Sequence, residues 1–386
     1  MKESIWSKDF ISLVAVNAVA FFSFQILFPL LPVYGMEFTT NKPTLGFLAA
    51  AIAIAALLAR PFSGVIADRG NRKWIIIVTQ LLTALVIASF AFAPSIHLLI
   101  AARFIHGLLF GIGTTAISLA AVQTLPESSL GRGIGILGLG GFGSQAVAPA
   151  LGIYLVNHFS YDAMFFIAAA ISAAAVVPAL TIKPQLRPAH AVESLSVKNI
   201  IAVEGFGVSA LALIIATGST TVSSFLVLFG TGRGIGHIGL FFTIFAAAII
   251  VCRLAGGGLI DKYPFQYLVY VCAALCAAGL LLISFATHFS SLIAAALLMG
   301  VGYGMIGPTL QAQCIRSVPP ERRGAAIATY FIALDLGNIV GPLGMGFIAS
   351  VADYGFGFLV LSVPTLAMIP LAYLLVRTRK PLKDPK

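Results

Sequence analysis

The chain has 386 residues, 59% of them hydrophobic and only 9% charged, with a formal net charge of +10. A soluble domain usually carries about 25% charged residues, so this composition and a mean hydropathy of +1.02 exclude ordinary water-soluble domains. Apolar runs of about 20 residues, enough to cross about 30 Å of hydrocarbon, recur throughout, whereas a membrane β-barrel needs alternating segments of about 10.

Twelve such stretches are predicted as membrane helices, near 10–34, 44–67, 74–93, 96–124, 132–157, 161–182, 199–228, 236–260, 265–287, 290–314, 323–350 and 354–376. The first lacks a small-residue cleavage pattern and is too long for a typical signal peptide, so it reads as a retained helix. With the N-terminus inside, 18 of the 23 Lys and Arg fall on inner loops and tails, and only Lys42 and Arg233 fall outside. That bias puts both termini in the cytoplasm, and it accounts for the positive charge without any nucleic acid. The segment 183–198 holds Pro, His, Ser and charge and reads as a cytoplasmic linker between two bundles, 1–182 and 199–386. Cys252, Cys272, Cys276 and Cys314 sit in or beside apolar spans and read as packing residues.

The two halves repeat. Arg60, Gly64, Asp68, Gly107, Gly111, Gly131 and Pro149 recur as Arg253, Gly257, Asp261, Gly300, Gly304, Gly324 and Pro342, each 193 residues on. Parallel repeats in an apolar chain point to two bundles that rock about a central site. In chain order, the first stretch offers Asn17, Phe21 and Gln25 as cavity lining. The second carries Arg60, eight residues before Asp68, as Arg253 precedes Asp261. Both arginines are placed to face an inner vestibule or to reach lipid headgroups. Arg103, early in the fourth stretch, faces a cavity or carboxylate, or snorkels to the outer interface; His106 is one turn away, as a proton relay or a packing residue. Gln145 lies in the glycine-rich fifth stretch beside Pro149. Glu204, at the start of the seventh, binds a proton or cation or simply favours its helix N-terminus. Thr217 and Thr221, Arg253, Tyr303 and Gln311, then Tyr330 and Asn338 complete the polar lining.

Asp335 is the sharpest candidate. It lies about 18 Å along the eleventh stretch, near the membrane midplane. A carboxylate there trades protons as a cavity opens to either side, or it forms a permanent ion pair with Arg60 or Arg253.

Residues 64–73 read GVIADRGNRK. They resemble the cytoplasmic-loop signature of the major facilitator superfamily through Gly64, Asp68, Arg69, Arg72 and Lys73, with Asn71 where the signature has Gly. Asn tolerates the left-handed backbone better than most residues. The resemblance implies a conformational latch at these residues, with Asp261 in a degraded second copy. The fourth-helix Arg103 followed by Gly107 also resembles the family, in which such an Arg is associated with proton coupling. Gly341-Pro342, and less closely Ala148-Pro149, resemble its antiporter signature; the small faces and the prolines suit a hinge.

The resemblance implies an all-α fold of twelve transmembrane helices in two pseudo-symmetric six-helix bundles. It implies a proton-coupled antiporter that exports a small amphiphilic solute such as a drug or siderophore, working as a single copy in a bacterial plasma membrane. Its partners are then protons, an organic substrate and lipid. The proton gradient supplies the energy, with no cofactor or metal. The rival is a proton-linked importer or facilitator of sugars, organic acids or peptides. No hydrolytic or redox constellation is present, and the six His are dispersed, so an enzyme is not expected.

The orientation is checked by fusions after Lys386. A fluorescent protein there is expected to glow and an alkaline phosphatase to stay inactive; the opposite pair of results overturns the cytoplasmic termini.

Overall fold

The computed structural model describes residues 6–126, 130–183, 202–256, 262–319 and 322–378. Fourteen α-helices and two short 3-10 turns account for these, with no strand among the described residues. In the first half they are α1 Lys8–Leu27, α2 Leu31–Gly35, α3 Lys42–Arg69, α4 Arg72–Ser89, α5 Ile96–Thr124, α6 Leu130–His158, α7 Tyr161–Ala174 and α8 Val176–Thr181. In the second they are α9 Phe206–Gly232, α10 Ile238–Gly256, α11 Phe265–Ser284, α12 Phe289–Arg316, α13 Arg323–Val351 and α14 Tyr354–Thr378. Counting α1 with α2 and α7 with α8, twelve spans are long and apolar enough to cross a membrane. Large apolar side chains such as Phe92, Leu254 and Val351 are more than 70% exposed on the outside, as a lipid-facing surface requires.

Prolines and caps set the boundaries. The first predicted span divides at residues 28–30, where Pro29 can donate no hydrogen bond, and resumes with Pro32 in the first turn of α2. The sixth divides after Ala174, whose carbonyl Pro178 cannot serve. Ser7, Asn41, Ser95 and Ser160 cap their helices by accepting a backbone N–H. Asn71 is another such cap. Its backbone is extended (φ −75°, ψ 110°) and its side chain accepts from Lys73 N. The left-handed turn expected at this position is therefore replaced by an N-cap, a task for which Asn is better suited than Gly.

The 193-residue repeat is a packing repeat. A Cβ on Gly107 of α5 would lie 2.5 Å from the Ile52 carbonyl oxygen and 2.7 Å from Ala55 Cβ on α3. A Cβ on Gly300 of α12 would lie 2.7 Å from the Phe245 carbonyl oxygen and 2.5 Å from Ala248 Cβ on α10. Phe245 and Ala248 are themselves the repeat partners of Ile52 and Ala55. Each bundle thus uses the same glycine to bring the same two helices into backbone contact.

The bundles join at one end only. One apolar cluster runs through both halves, from Ile26, Leu48 and Phe165 to Phe225, Phe241 and Phe358. At the opposite end, the end carrying Lys8 and Thr378, the cores are separate. Phe10, Ile76 and Ile117 belong to one, and Leu211, Cys276 and Leu310 to the other. The joined end is closed by two helix crossings. A Cβ on Gly46 of α3 would lie 2.6 Å from the Pro342 carbonyl oxygen and 3.1 Å from Gly346 Cα on α13. Lys42 Nζ donates to the Ala349 carbonyl at 2.6 Å, in the last turn of that helix, where a cation is favoured. On the other flank Gly239 of α10 lies against Ala150 of α6, and Thr243 Oγ1 donates to the Ala146 carbonyl at 2.8 Å. The molecule is a wedge, closed at the Lys42 end and divided at the end of the termini. The expected linker falls almost wholly outside the described residues.

The crossing yields a contrast between two glycines of α3 and α13. Gly46→Ala is expected to destabilise by about 1–3 kcal/mol through overpacking. Gly344→Ala, with open space around it, is expected to be neutral or to stabilise by up to about 1 kcal/mol as a helix glycine replaced. Thermal midpoints in detergent check this, and equal midpoints for the two variants would contradict the close crossing.

Candidate functional site

Between the bundles lies a cavity of about 320 Å³. Helical spacing decides which residues reach it. From α1 come Phe21, Phe24, Gln25 and Phe28, one face of a helix at i, i+3, i+4 and i+7. The facing side of α3 is small, with Ala49, Ala53 and Ala56 leaving room, and ends at Arg60. Phe110 of α5 and Gln145 of α6 complete the first-half wall. The second half supplies Ser219, Thr220 and Ser223 from α9, and Phe331, Leu334, Asp335 and Asn338 from α13, again at i, i+3, i+4 and i+7.

Arg60 and Asp335 bridge the halves. Arg60 Nη2 donates to Asp335 Oδ1 at 3.0 Å, and Nε lies 2.6 Å from Oδ2. Oδ2 sits off the N–H axis, so the directional hydrogen bond is to Oδ1 and the second contact is Coulombic. The Asp335 side chain is 10% exposed and that of Arg60 40%. The pair lies about 21–27 Å along the two helices from the Lys42–Ala349 contact, on the divided side of the cavity. Of the two arginines open to Asp335 on sequence grounds, Arg60 is the one in contact.

Arg103 and His106 stand behind the aromatic wall. Arg103 is 1% exposed, inside its bundle rather than reaching out to the interface. Its Nη1 donates to His106 Nδ1 at 3.2 Å, which places the proton of a neutral His106 ring on Nε2. Its guanidinium carbon is 5.7 Å from the Phe24 ring centroid, and its Nε has no hydrogen-bond partner. No carboxylate pairs with it among the described residues.

Several predicted lining residues serve packing instead. Asn17 donates to the Leu137 carbonyl at 2.9 Å and ties α1 to α6. Thr217 and Thr221 bond to carbonyls of their own helix and lie against Gly341 of α13. Tyr303 donates to the Ile215 carbonyl at 3.0 Å, and Tyr330 to the Gly307 carbonyl at 3.1 Å, next to Arg253. Arg253 and Gln311 lie outside the cavity lining. Glu204 is near the divided end, where it accepts from Arg322 at 2.5 Å, remote from Asp335. That position fits an ion pair at a helix start rather than a proton site beside the cavity.

The latch is described in part. Arg72 is buried and donates to the Leu119 carbonyl at 3.2 Å, and Lys73 donates to the Leu180 carbonyl at 2.6 Å. Both cations sit at the C-terminal ends of neighbouring helices, where the helix dipole favours them. The surroundings of Gly64, the side chains of Asp68 and Arg69, and the whole of Asp261 lie outside the described residues.

The reading by residue type missed Phe110, Phe331 and Leu334. Phe110 stacks on Phe24 at 4.6 Å between centroids; among 29 Phe nothing in the sequence singles it out.

Twelve membrane-length helices in two repeated bundles around a wedge-shaped cavity define the class as a multi-pass membrane transporter. The profile of the Major Facilitator Superfamily matches residues 13–333 and 208–386, and the chain belongs to that family. The chain is 28% identical over 351 residues to an uncharacterised MFS-type transporter of Burkholderia mallei, covering 86% of this chain and 84% of the relative. It is 28% identical over 371 residues to the multidrug resistance protein MdtG of Escherichia fergusonii, covering 91% and 90%. A crystal structure of a POT family transporter in complex with a thioalcohol-conjugated peptide superposes with a TM-score of 0.81 at 13% identity, covering 96% of each chain. These relatives are transporters, and the chain is a transporter, not an enzyme.

The bridge is measurable as a coupling. In a double-mutant cycle of Arg60→Gln and Asp335→Asn, the pair is expected to couple by about 1–2 kcal/mol, above an exposed pair and below a fully buried one. Thermal unfolding of the four proteins checks it; additive effects would contradict a direct bridge.

Proposed function

We propose that the chain is a proton-coupled antiporter that exports a small amphiphilic organic solute, such as a drug, a siderophore or a related metabolite, by alternating access. It acts as a monomer in a bacterial plasma membrane with both termini in the cytoplasm, so that the divided end of the wedge faces inward. The observation that carries the reading is the cross-bundle pair. Asp335 is a nearly buried carboxylate at the edge of the cavity, and its partner belongs to the opposite, moving half.

The cycle follows from that placement. In the inward-open molecule the carboxylate closes onto Arg60 as its proton leaves to the cytoplasm, and the cavity is left free for solute. Rocking opens the Lys42 end. The cycle requires that this motion also slide α3 along α13 and part Arg60 from Asp335; the freed carboxylate then takes up a proton from outside as the solute leaves. Solute and proton thus act against each other through one group, and that antagonism is reciprocal. The membrane potential drives the inward proton. Arg103 and His106, one shell behind Phe24, are placed to set the field around the cavity. The resemblance to MdtG supports efflux as the direction.

Purified protein in liposomes tests this. An inward-directed proton gradient is expected to drive solute out through the native chain. Asp335→Asn is expected to reduce that flux to the protein-free leak while inserting and folding normally. Undiminished gradient-driven flux in the variant would remove Asp335 from the mechanism, and solute uptake down the same gradient would reverse the direction to import.

A further inference from the structure

The cavity's phenylalanines lie mostly on the first-half wall and its hydroxyls on the second. On the first-half wall, Phe24 and Phe110 stack with 20° between ring planes, and Phe21 meets Phe110 edge-on at 5.4 Å. The facing wall carries Ser219, Thr220, Ser223 and Asn338 beside Phe331, Leu334 and Asp335. Thr220 Oγ1 donates to Asn338 Oδ1. The Asn338 nitrogen and the Ser219 and Ser223 hydroxyls have no protein partner among the described residues and are left for a ligand. Gln25 and Gln145 add amides that both donate and accept.

The electrostatics narrow the class further. Among the described residues lining the cavity, Arg60 and Asp335 are the only charged ones, and they neutralise each other. Arg103, unpaired by any described carboxylate, lies against Phe24 from behind. A ring already facing a cation is a poor host for a second one, and the local field is positive. With Phe110 on one face of Phe24 and Arg103 over the ring, an uncharged ring packs against the edges of this aromatic cluster. A volume of about 320 Å³ is at the small end of the range for ligand pockets, so one compact ring system fits.

Building on the reading of the chain as a carrier of small organic solutes, we infer that the cavity takes an uncharged, flat aromatic molecule with donors and acceptors along one edge, and selects against lipophilic cations. The ring lies on the phenylalanines of one bundle while the polar edge is read by the hydroxyls and amide of the other. The solute therefore bridges the two moving halves.

The test is equilibrium binding to the purified full-length protein in detergent, using phenanthridin-6(5H)-one and 5-methylphenanthridinium. These share one tricyclic frame; the first is neutral with a carbonyl and an N–H side by side on one edge, and the other is a cation. The neutral lactam is expected to bind at least about tenfold more tightly. Phe24→Leu is expected to weaken the lactam by loss of aromatic contact. Ser223→Ala, too small a change to disturb α9, is expected to weaken it by loss of edge contact and serves alone if Phe24→Leu does not fold. Equal or tighter binding of the cation, no binding of either compound, or lactam affinity unmoved by Ser223→Ala overturns the inference. Equilibrium binding needs no gradient, so a failure of proton-driven flux counts against the antiport cycle and leaves this result standing.

Discussion

The arginine–carboxylate bridge between α3 and α13 is the constraint on which the rest turns. Two charges taken from water into a low-dielectric interior are each costly, and only mutual contact with good geometry offsets the penalty. Here the contact is made across the gap between two bundles, so its geometry is a property of how the halves sit. The carboxylate is nearly buried while the guanidinium is open to the cavity. A proton arriving at one partner, or a solute arriving beside the other, therefore alters the tie directly.

The repeat gives this bridge no counterpart at the matching positions. Arg60 has a copy at Arg253, but the position equivalent to Asp335 in the first half is Phe142. The duplicated arginine thus has no duplicated acid at the matching place. Arg103 and His106 correspond to Ala296 and Met299, so the buried cation behind the cavity is also peculiar to one half. Gln145 and Asn338, by contrast, are a matched pair, and both line the cavity. The packing glycines and the Gln145–Asn338 pair follow the symmetry that builds and centres the site. Asp335, Arg103 and Phe24 depart from it, and a binding site for an asymmetric solute needs that departure.

Much of this is legible in residue order. Hydrocarbon thickness makes the spans visible, and the glycine spacing reveals the repeat because close helix crossings tolerate no side chain. Asp335 stands out because a midplane carboxylate is costly in any other setting. What is not legible is rotational phase. Each residue turns a helix by about 100°, so residue type points to Thr217 and Thr221 as lining, whereas Ser219, Thr220 and Ser223 hold that face. Asn17, Tyr303 and Tyr330 are polar for a packing reason: each satisfies a neighbouring helix's carbonyl. Residue type alone does not separate a side chain that serves a backbone oxygen from one that serves a ligand. Asn71 shows the same limit, since a cap and a left-handed turn both accept Asn.

The central claim is that protonation of Asp335 governs the tie to Arg60 and, through it, the arrangement of the bundles. Electron–electron distance measurements test it most directly, with spin labels on cysteines introduced at Gln123 and Pro319, both exposed near the divided end, in a chain lacking its four native cysteines. The distance distribution is expected to shift as pH falls in the otherwise native chain. With Asp335→Asn it is expected to hold the low-pH distribution at every pH. A native distribution that ignores pH, or a variant that still follows it, would contradict the account.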